Sequence, residues 1–329
     1  MRNQKLLKVE NLRVHYFSRY GIVQAVQNID FEIGKGEIVG LVGESGSGKS
    51  TVGLALMGLL PESTDKAVSG RILLNGRNIL KFTHREMQSI RGCEISMTFQ
   101  DPMTFLNPVM RIGDQIVETV RRHQKISNKQ ARDVVLNWLM NVNMNEPERV
   151  VNAYPHQISG GMRQRVLIAQ ALSCEPNLLI ADEPTTALDV TIQRGILELL
   201  ASIRDRFNTS VFVITHDLGV VSELCDRVYV MYAGKILEQG DVDKILLNPK
   251  NPYTQALLKS ALSIDEYHPV LYSIGGTPPS LVDPDQGCNF RDRCPHSFSR
   301  CIEEPPSFVT EGNGWSKCWL NDPEVVPIC

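Results

Sequence analysis

The sequence predicts an α/β fold around a largely parallel sheet, and three observations predict it. Short apolar runs alternate with stretches of helical periodicity over most of the chain. One apolar run leads directly into a glycine-rich loop and then a helix. Another ends in two adjacent carboxylates, at the sheet edge where open α/β folds bind ligands.

The elements follow in order. Leu7, Val9, Leu12 and Val14 are apolar among polar neighbours, and Ile29, Phe31 and Ile33 alternate at period two, so residues 5–42 read as strands. The run Ile38–Val42 is a buried strand, separated from the previous one by the tight turn Gly34-Lys35-Gly36. A helix should run from Lys49 to about Leu60, stopped by Pro61. Residues 70–100 read as strand, with Asn75-Gly76 as a hairpin turn. Ile112, Ile116, Val117 and Val120, then Val134, Val135, Trp138 and Leu139, fall at helical spacing across 111–150. A helix over 162–173, a strand Leu178–Ala181, a helix near 190–206 and a strand Val211–Ile214 complete the pattern. The helix-rich stretch 101–175 is an insert in the α/β core. After about residue 240, Pro and Gly rise and periodicity fades, so 1–240 is expected as the core domain and 241–329 as a small irregular appendage.

Composition bounds the function. A chain of 329 residues favours two domains. With 42% hydrophobic and 22% charged residues it has the balance of a globular protein, not of a disordered one. No stretch approaches the roughly 20 apolar residues of a membrane span, and Met1–Glu10 lacks the apolar block of a secretory signal; a cytoplasmic location is expected. Lys and Arg total 34 against 37 Asp and Glu, a net charge of −3 that argues against nucleic acid as partner.

Residues Gly43-Glu44-Ser45-Gly46-Ser47-Gly48-Lys49-Ser50-Thr51 match the phosphate-loop pattern G-x-x-x-x-G-K-[ST], between a strand and a helix. Glycines let successive backbone N–H groups turn toward one anion, and the helix N-terminus adds partial positive charge. Lys49 would neutralise the β- and γ-phosphates, and the Ser50 hydroxyl would ligate Mg²⁺. The strand Leu178–Ala181 ends in Asp182-Glu183. Asp182 is placed to hold Mg²⁺, and Glu183 to orient or deprotonate an attacking water.

Further motifs carry a family resemblance. Ile158-Ser159-Gly160-Gly161-Met162-Arg163-Gln164-Arg165 resembles the signature motif of ATP-binding cassette (ABC) ATPases. Gln100 is similar to the family's Q-loop glutamine, His216 to its switch histidine, Ala187-Leu188-Asp189 to its D-loop, and Tyr20 to the aromatic that stacks on adenine. The resemblance covers essentially the whole chain. It implies ATP and Mg²⁺ as ligands, with Gln100 reaching both the γ-phosphate and Mg²⁺ and His216 the γ-phosphate. It also implies that Ser159, Gly160, Gly161 and Gln164 contact nucleotide. Gly160-Gly161 at a helix start forms a second anion site, too far from the first for one ATP. A head-to-tail dimer would sandwich each ATP between one chain's phosphate loop and its partner's signature loop.

The runs Phe99–Pro108, Asp182–Thr191 and Asn251–Leu257 resemble the oligopeptide/dipeptide importer ATPases, and Gly276–Leu281 resembles their D-type subunit. That implies an ATPase on the cytoplasmic face of the membrane, paired with a second ATPase subunit and two permeases and served indirectly by an extracytoplasmic substrate-binding protein. Nickel or oligosaccharide cargo is the nearer alternative, and a soluble ABC ATPase outside transport the remoter one.

The eight cysteines are unevenly placed. Four of them, in the pattern Cys288-x5-Cys294-x6-Cys301-x16-Cys318, lie in a proline-bearing stretch with little hydrophobic periodicity. A metal cross-link would help such a stretch fold. Four thiolates suit tetrahedral zinc or an iron–sulfur cluster. Zinc sites usually carry closely spaced Cys pairs, so the wide spacing favours a [4Fe–4S] cluster, with zinc and free or disulfide-linked thiols as alternatives. The importer resemblance implies the cluster too. Cys329 is the spare, and Cys174 and Cys225 read as small buried apolar residues.

Overall fold

A computed structural model describes residues 5–61, 68–186, 188–262, 272–284 and 286–325. Ala187 and Cys329 lie outside the described residues. In chain order the elements are β1 (Lys5–Ser18), β2 (Gly21–Gly34), β3 (Ile38–Val42), α1 (Lys49–Met57), β4 (Val68–Leu74), β5 (Arg77–Asn78), α2 (His84–Ile90) and β6 (Ile95–Thr98). Then come α3 (Pro102–Phe105), α4 (Ile112–His123), α5 (Asn128–Asn141), α6 (Pro147–Val150), α7 (Gly160–Leu172), β7 (Leu178–Asp182), α8 (Val190–Phe207) and β8 (Ser210–Thr215). The chain closes with α9 (Leu218–Leu224), β9 (Arg227–Tyr232), β10 (Lys235–Asp241), α10 (Val242–Leu247), α11 (Pro252–Leu262), β11 (Phe308–Val309) and β12 (Trp315–Ser316).

Two compact units result. One comprises Met1–Leu6, Ile33–Ile38 and Ile79–Ile214; the other comprises Leu7–Glu32, Val39–Asn78 and Thr215–Cys329. We call them the helical unit and the tail unit. The expected division at residue 240 is therefore not where the units divide. The reason is pairing and packing: β12 pairs with β10, with Glu238 opposite Ser316, and Tyr253 and Phe290 share one buried cluster with Val228 and Val230.

In the helical unit, β6, β7 and β8 run parallel, with Met97 opposite Ile180 and Ile180 opposite Phe212. Every residue of these strands is buried, as expected for parallel strands covered on both faces. The inserted helices fall between β6 and β7. Local signals start two of the longest helices of this unit. Ser127 and Gln130 form a reciprocal capping box on α5, and the Asp189 side chain accepts from the Ile192 N–H to cap α8. The α2 helix replaces part of the strand expected over 70–100. Its capping box, Thr83 with Glu86, was the sequence signal for it.

In the tail unit, β2-β1-β4-β5 form a four-stranded sheet, antiparallel where β4 pairs with β1 and β5. Asn75 and Gly76 turn the β4–β5 hairpin with φ of 48° and 78°. That is the left-handed pair a tight hairpin needs. A second sheet runs β11-β12-β10-β9-β3, parallel between β3 and β9 and antiparallel beyond. The α1 helix ends at Gly58, left-handed at φ 59°, before Pro61 can act. Among the described residues no helix is long and apolar enough to cross a membrane.

Candidate functional site

The phosphate loop leaves the buried strand β3 and enters α1. Two glycines are forced by close approach. A Cβ on Gly43 would collide with the Met231 carbonyl oxygen, and one on Gly48 with that of Ala25, where φ is +103° besides. The Lys49 ammonium, 5% exposed, donates to the carbonyl oxygens of Gly43 at 2.8 Å and Glu44 at 2.9 Å. The loop backbone thus aims the lysine from within. Ser45, Gly46 and Ser50 are less enclosed than Ser47, which is buried. Thr51, behind them, accepts from the Tyr16 hydroxyl at 3.4 Å.

Glu44 is anchored by the tail. Its backbone N–H donates to the Tyr253 hydroxyl at 2.9 Å, and its carboxylate accepts two bonds from Arg293, at 2.7 and 3.0 Å. Burial pushes the Tyr253 hydroxyl well above its ordinary value, so it stays protonated. Sequence reasoning missed Tyr253 and Arg293 as supports of the loop. Arg293 carried no signal beyond its place beside Cys294.

The helical unit holds the acidic strand end. Asp182, 5% exposed, is the last residue of β7. Glu183 follows with φ 47° and donates its backbone N–H to the Ile214 carbonyl at 2.8 Å. That left-handed step turns its side chain out of the strand's alternation. One carboxylate oxygen of Glu183 accepts from the Gln100 amide at 2.6 Å and from the Thr186 hydroxyl at 2.8 Å. The structure thus brings together Glu183 and Gln100, far apart in the chain, and adds Thr186, whose role the sequence did not reveal.

Ser159 caps α7, its hydroxyl accepting from the Met162 N–H at 3.3 Å. Ser159 and Gly160 are exposed at that helix start. Gly161 is not: its Cβ would meet Ile192 at 2.6 Å, so glycine there lets α7 pack on α8. Gln164 is 2% exposed, and among the described residues its amide nitrogen has no hydrogen-bond partner. It lies on the buried side of α7, apart from the exposed helix start that Ser159 and Gly160 form. In the tail unit, His216 is exposed ahead of α9, where Asp217 caps the helix through the Gly219 N–H. Tyr20 is 76% exposed in the β1–β2 turn, with the Arg19 guanidinium 5.1 Å from its ring centre.

Cys288, Cys294, Cys301 and Cys318 line one small cavity with Phe290 and Trp319. Burial raises the thiols of Cys288 and Cys294, and pushes Cys318 up to about 12, with the neighbouring thiols adding to the effect. Backbone N–H groups of Phe290 and Arg291 point at Cys288, that of His296 at Cys294 and that of Leu320 at Cys318. Among the described residues, no three His, Cys, Asp or Glu side chains form a group that could hold a metal ion. What the structure establishes is a shared cysteine cavity, not the expected metal site. Cys174 and Cys225 are half-buried where full burial was expected, and desolvation raises both thiols.

Comparison with known proteins fits this geometry. A family model described as ABC transporter matches residues 26–186, and one described as oligopeptide/dipeptide transporter, C-terminal region, matches 237–301. The chain is 48% identical over 320 residues to the dipeptide transport ATP-binding protein DppD of Bacillus subtilis, covering 97% of this chain and 96% of that one. It is likewise 48% identical to the oligopeptide transport ATP-binding protein AppD of the same organism, covering 97% and 98%. Among solved structures, a dimeric ATP-binding cassette in a post-hydrolysis state bound to ADP and Pi matches with a TM-score of 0.63 and 27% identity, over 72% of this chain and 98% of that one. The chain therefore belongs to the ABC transporter ATP-binding subunits of the oligopeptide/dipeptide type, and it is an ATPase.

Proposed function

We propose that this chain hydrolyses ATP at the cytoplasmic face of a membrane to drive import of di- and oligopeptides. It would act with a second, different ATPase subunit and two permeases, with an extracytoplasmic binding protein delivering cargo to them. The observation that carries the reading is Glu183, a carboxylate fixed at the end of a buried strand by Gln100 and Thr186. So held, Glu183 orients the attacking water and accepts its proton as the new oxygen–phosphorus bond forms and ADP leaves. Lys49 neutralises charge on the phosphates. Asp182 and Ser50 each offer the hard oxygen that Mg²⁺ prefers, and the buried carboxylate at a strand end fits that role. Bound Mg²⁺ would screen the charge of the transferring phosphoryl group. Exposed Ser159 and Gly160 would present α7 to the nucleotide held by the second subunit, as in a cassette dimer. Tyr20 would stack on adenine, and His216 would hydrogen-bond the γ-phosphate.

The test is transport itself. The chain is purified with its permeases and second ATPase subunit, and placed in vesicles with labelled peptides of two to five residues. Peptide accumulation that requires ATP and disappears with Glu183→Gln is expected. Accumulation of nickel or oligosaccharide with no peptide uptake would overturn the cargo.

The cysteine cavity supports a finer reading, a [4Fe–4S] cluster held by Cys288, Cys294, Cys301 and Cys318. Four sulfurs line one cavity, with backbone N–H groups aimed at three of them; although no three described side chains group around a single ion, a four-iron cluster would draw on four separate thiolates. A cluster, when bound, would supply a cross-link and a one-electron couple. About four iron and four sulfide per chain after anaerobic purification, lost with Cys294→Ser, is expected; zinc near one per chain, or no metal, would contradict it.

A further inference from the structure

The segment that bears the cysteines reaches into the phosphate loop through one side chain. Arg293 ends the short turn Arg291–Arg293, next to Cys294, and its side chain is 5% exposed. All of its N–H donors are used. Nη1 donates to Glu44 Oε2 at 2.7 Å and to the Tyr232 hydroxyl at 3.1 Å. Nη2 donates to Glu44 Oε1 at 3.0 Å and to the Ile274 carbonyl at 3.1 Å, and Nε donates to the Gly275 carbonyl at 2.8 Å. The bidentate fork fixes the carboxylate in plane as well as in distance. The bond to Glu44 is also the largest cause of a raised pKa for the guanidinium.

Glu44 passes this constraint inward. Its carbonyl oxygen accepts from Lys49, and also from the Ser47 N–H at 3.2 Å. Its own N–H is held by Tyr253. The ring centres of Tyr232, Tyr253 and Phe290 lie 4.5 to 5.3 Å apart, and Cys288 and Cys294 pack against the cluster they join. One continuous contact path therefore runs from the cysteine cavity to the lysine of the phosphate loop, within a single compact unit.

We propose that Arg293 is a positioning residue for the nucleotide: through Glu44 it sets the phosphate loop, so that the cysteine-bearing tail governs nucleotide affinity. The idea rests on the phosphate loop binding ATP as proposed above. It differs from mere fold support in what it changes. A structural tie would alter melting alone, whereas a positioning tie alters the dissociation constant for MgATP.

The test uses the full chain with a fluorescent MgATP analogue, alongside melting and ATPase measurements in the assembled transporter. Arg293→Ala and Glu44→Ala should each raise the dissociation constant by about tenfold, the scale of a charged hydrogen bond. The double variant should be no worse than the poorer single one, because both remove the same link. The turnover number at saturating ATP should fall by less than the affinity. Arg293→Lys and Glu44→Gln keep bulk and part of the bonding, and should give smaller losses in fully folded protein. They decide the matter if Arg293→Ala does not fold. Affinity unchanged in the conservative pair, or additive losses in the double variant, overturns the proposal. Failure of the unaltered chain to bind MgATP would instead overturn the nucleotide reading on which it rests.

Discussion

Glu44 and Glu183 invite comparison. Each follows closely on a fully buried strand, β3 and β7, and each lies in a different compact unit. Glu44 is gripped on both oxygens by a buried arginine, whereas Glu183 is gripped on one oxygen by a neutral amide and a neutral hydroxyl. An arginine partner makes a carboxylate a fixed anchor. Neutral donors such as Gln100 and Thr186 orient a carboxylate without themselves neutralising its charge. The same residue type in similar places would thus serve binding in one unit and, under the proposed mechanism, chemistry in the other.

The largest expected effect breaks that pairing on the chemical side. Glu183→Gln should lower steady-state ATPase turnover by roughly 10²–10⁴-fold, the usual worth of a general base, while MgATP binding stays intact. Unchanged turnover would remove Glu183 from its role. On the binding side, Lys49→Ala should cut MgATP affinity by roughly 10–100-fold, because it removes the buried ammonium of the phosphate loop, which is proposed to meet the phosphates. Equilibrium binding checks it, and near-normal affinity would contradict the geometry. Gln100→Ala removes one of the hydrogen bonds that orient the Glu183 side chain, leaving that from Thr186. It should slow turnover by about tenfold, with affinity affected less; pre-steady-state phosphate release reads the difference. The smallest effect sits at the rim, at the exposed ring of Tyr20. Tyr20→Ala should weaken MgATP binding by about 2–10-fold if that ring stacks on the base, and by nothing if it does not.

Much of this was legible in the sequence, for local reasons. A strand, a glycine loop and a lysine must be contiguous to bind phosphate, so the pattern over 43–51 carried the local fold together with the chemistry proposed for it. The apolar runs at 38–42, 178–181 and 211–214 stood out, because parallel strands covered on both faces read as unbroken apolar stretches; the strands themselves reach Asp182, Ser210 and Thr215. Helix α2 was missed where hydrophobic period was weighed above the Thr83–Glu86 cap. Gln164 sits in a motif with exposed residues, yet it falls on the buried side of α7, a matter of helical phase that motif order does not carry. The tail was underestimated for a different reason. Its strands β11 and β12 are very short and become strands only by pairing, β12 onto β10 and β11 onto β12. Arg293 meets Glu44 from the far end of the chain, and no local pattern announces such a contact.

The most direct measurement of the central division is the turnover number and the MgATP dissociation constant of Glu183→Gln and Arg293→Ala side by side, in the same assembled transporter. A crossed result is expected: the first loses turnover and keeps affinity, and the second loses affinity and keeps most of its turnover at saturation. Two variants that lose the same quantity in the same proportion would contradict it.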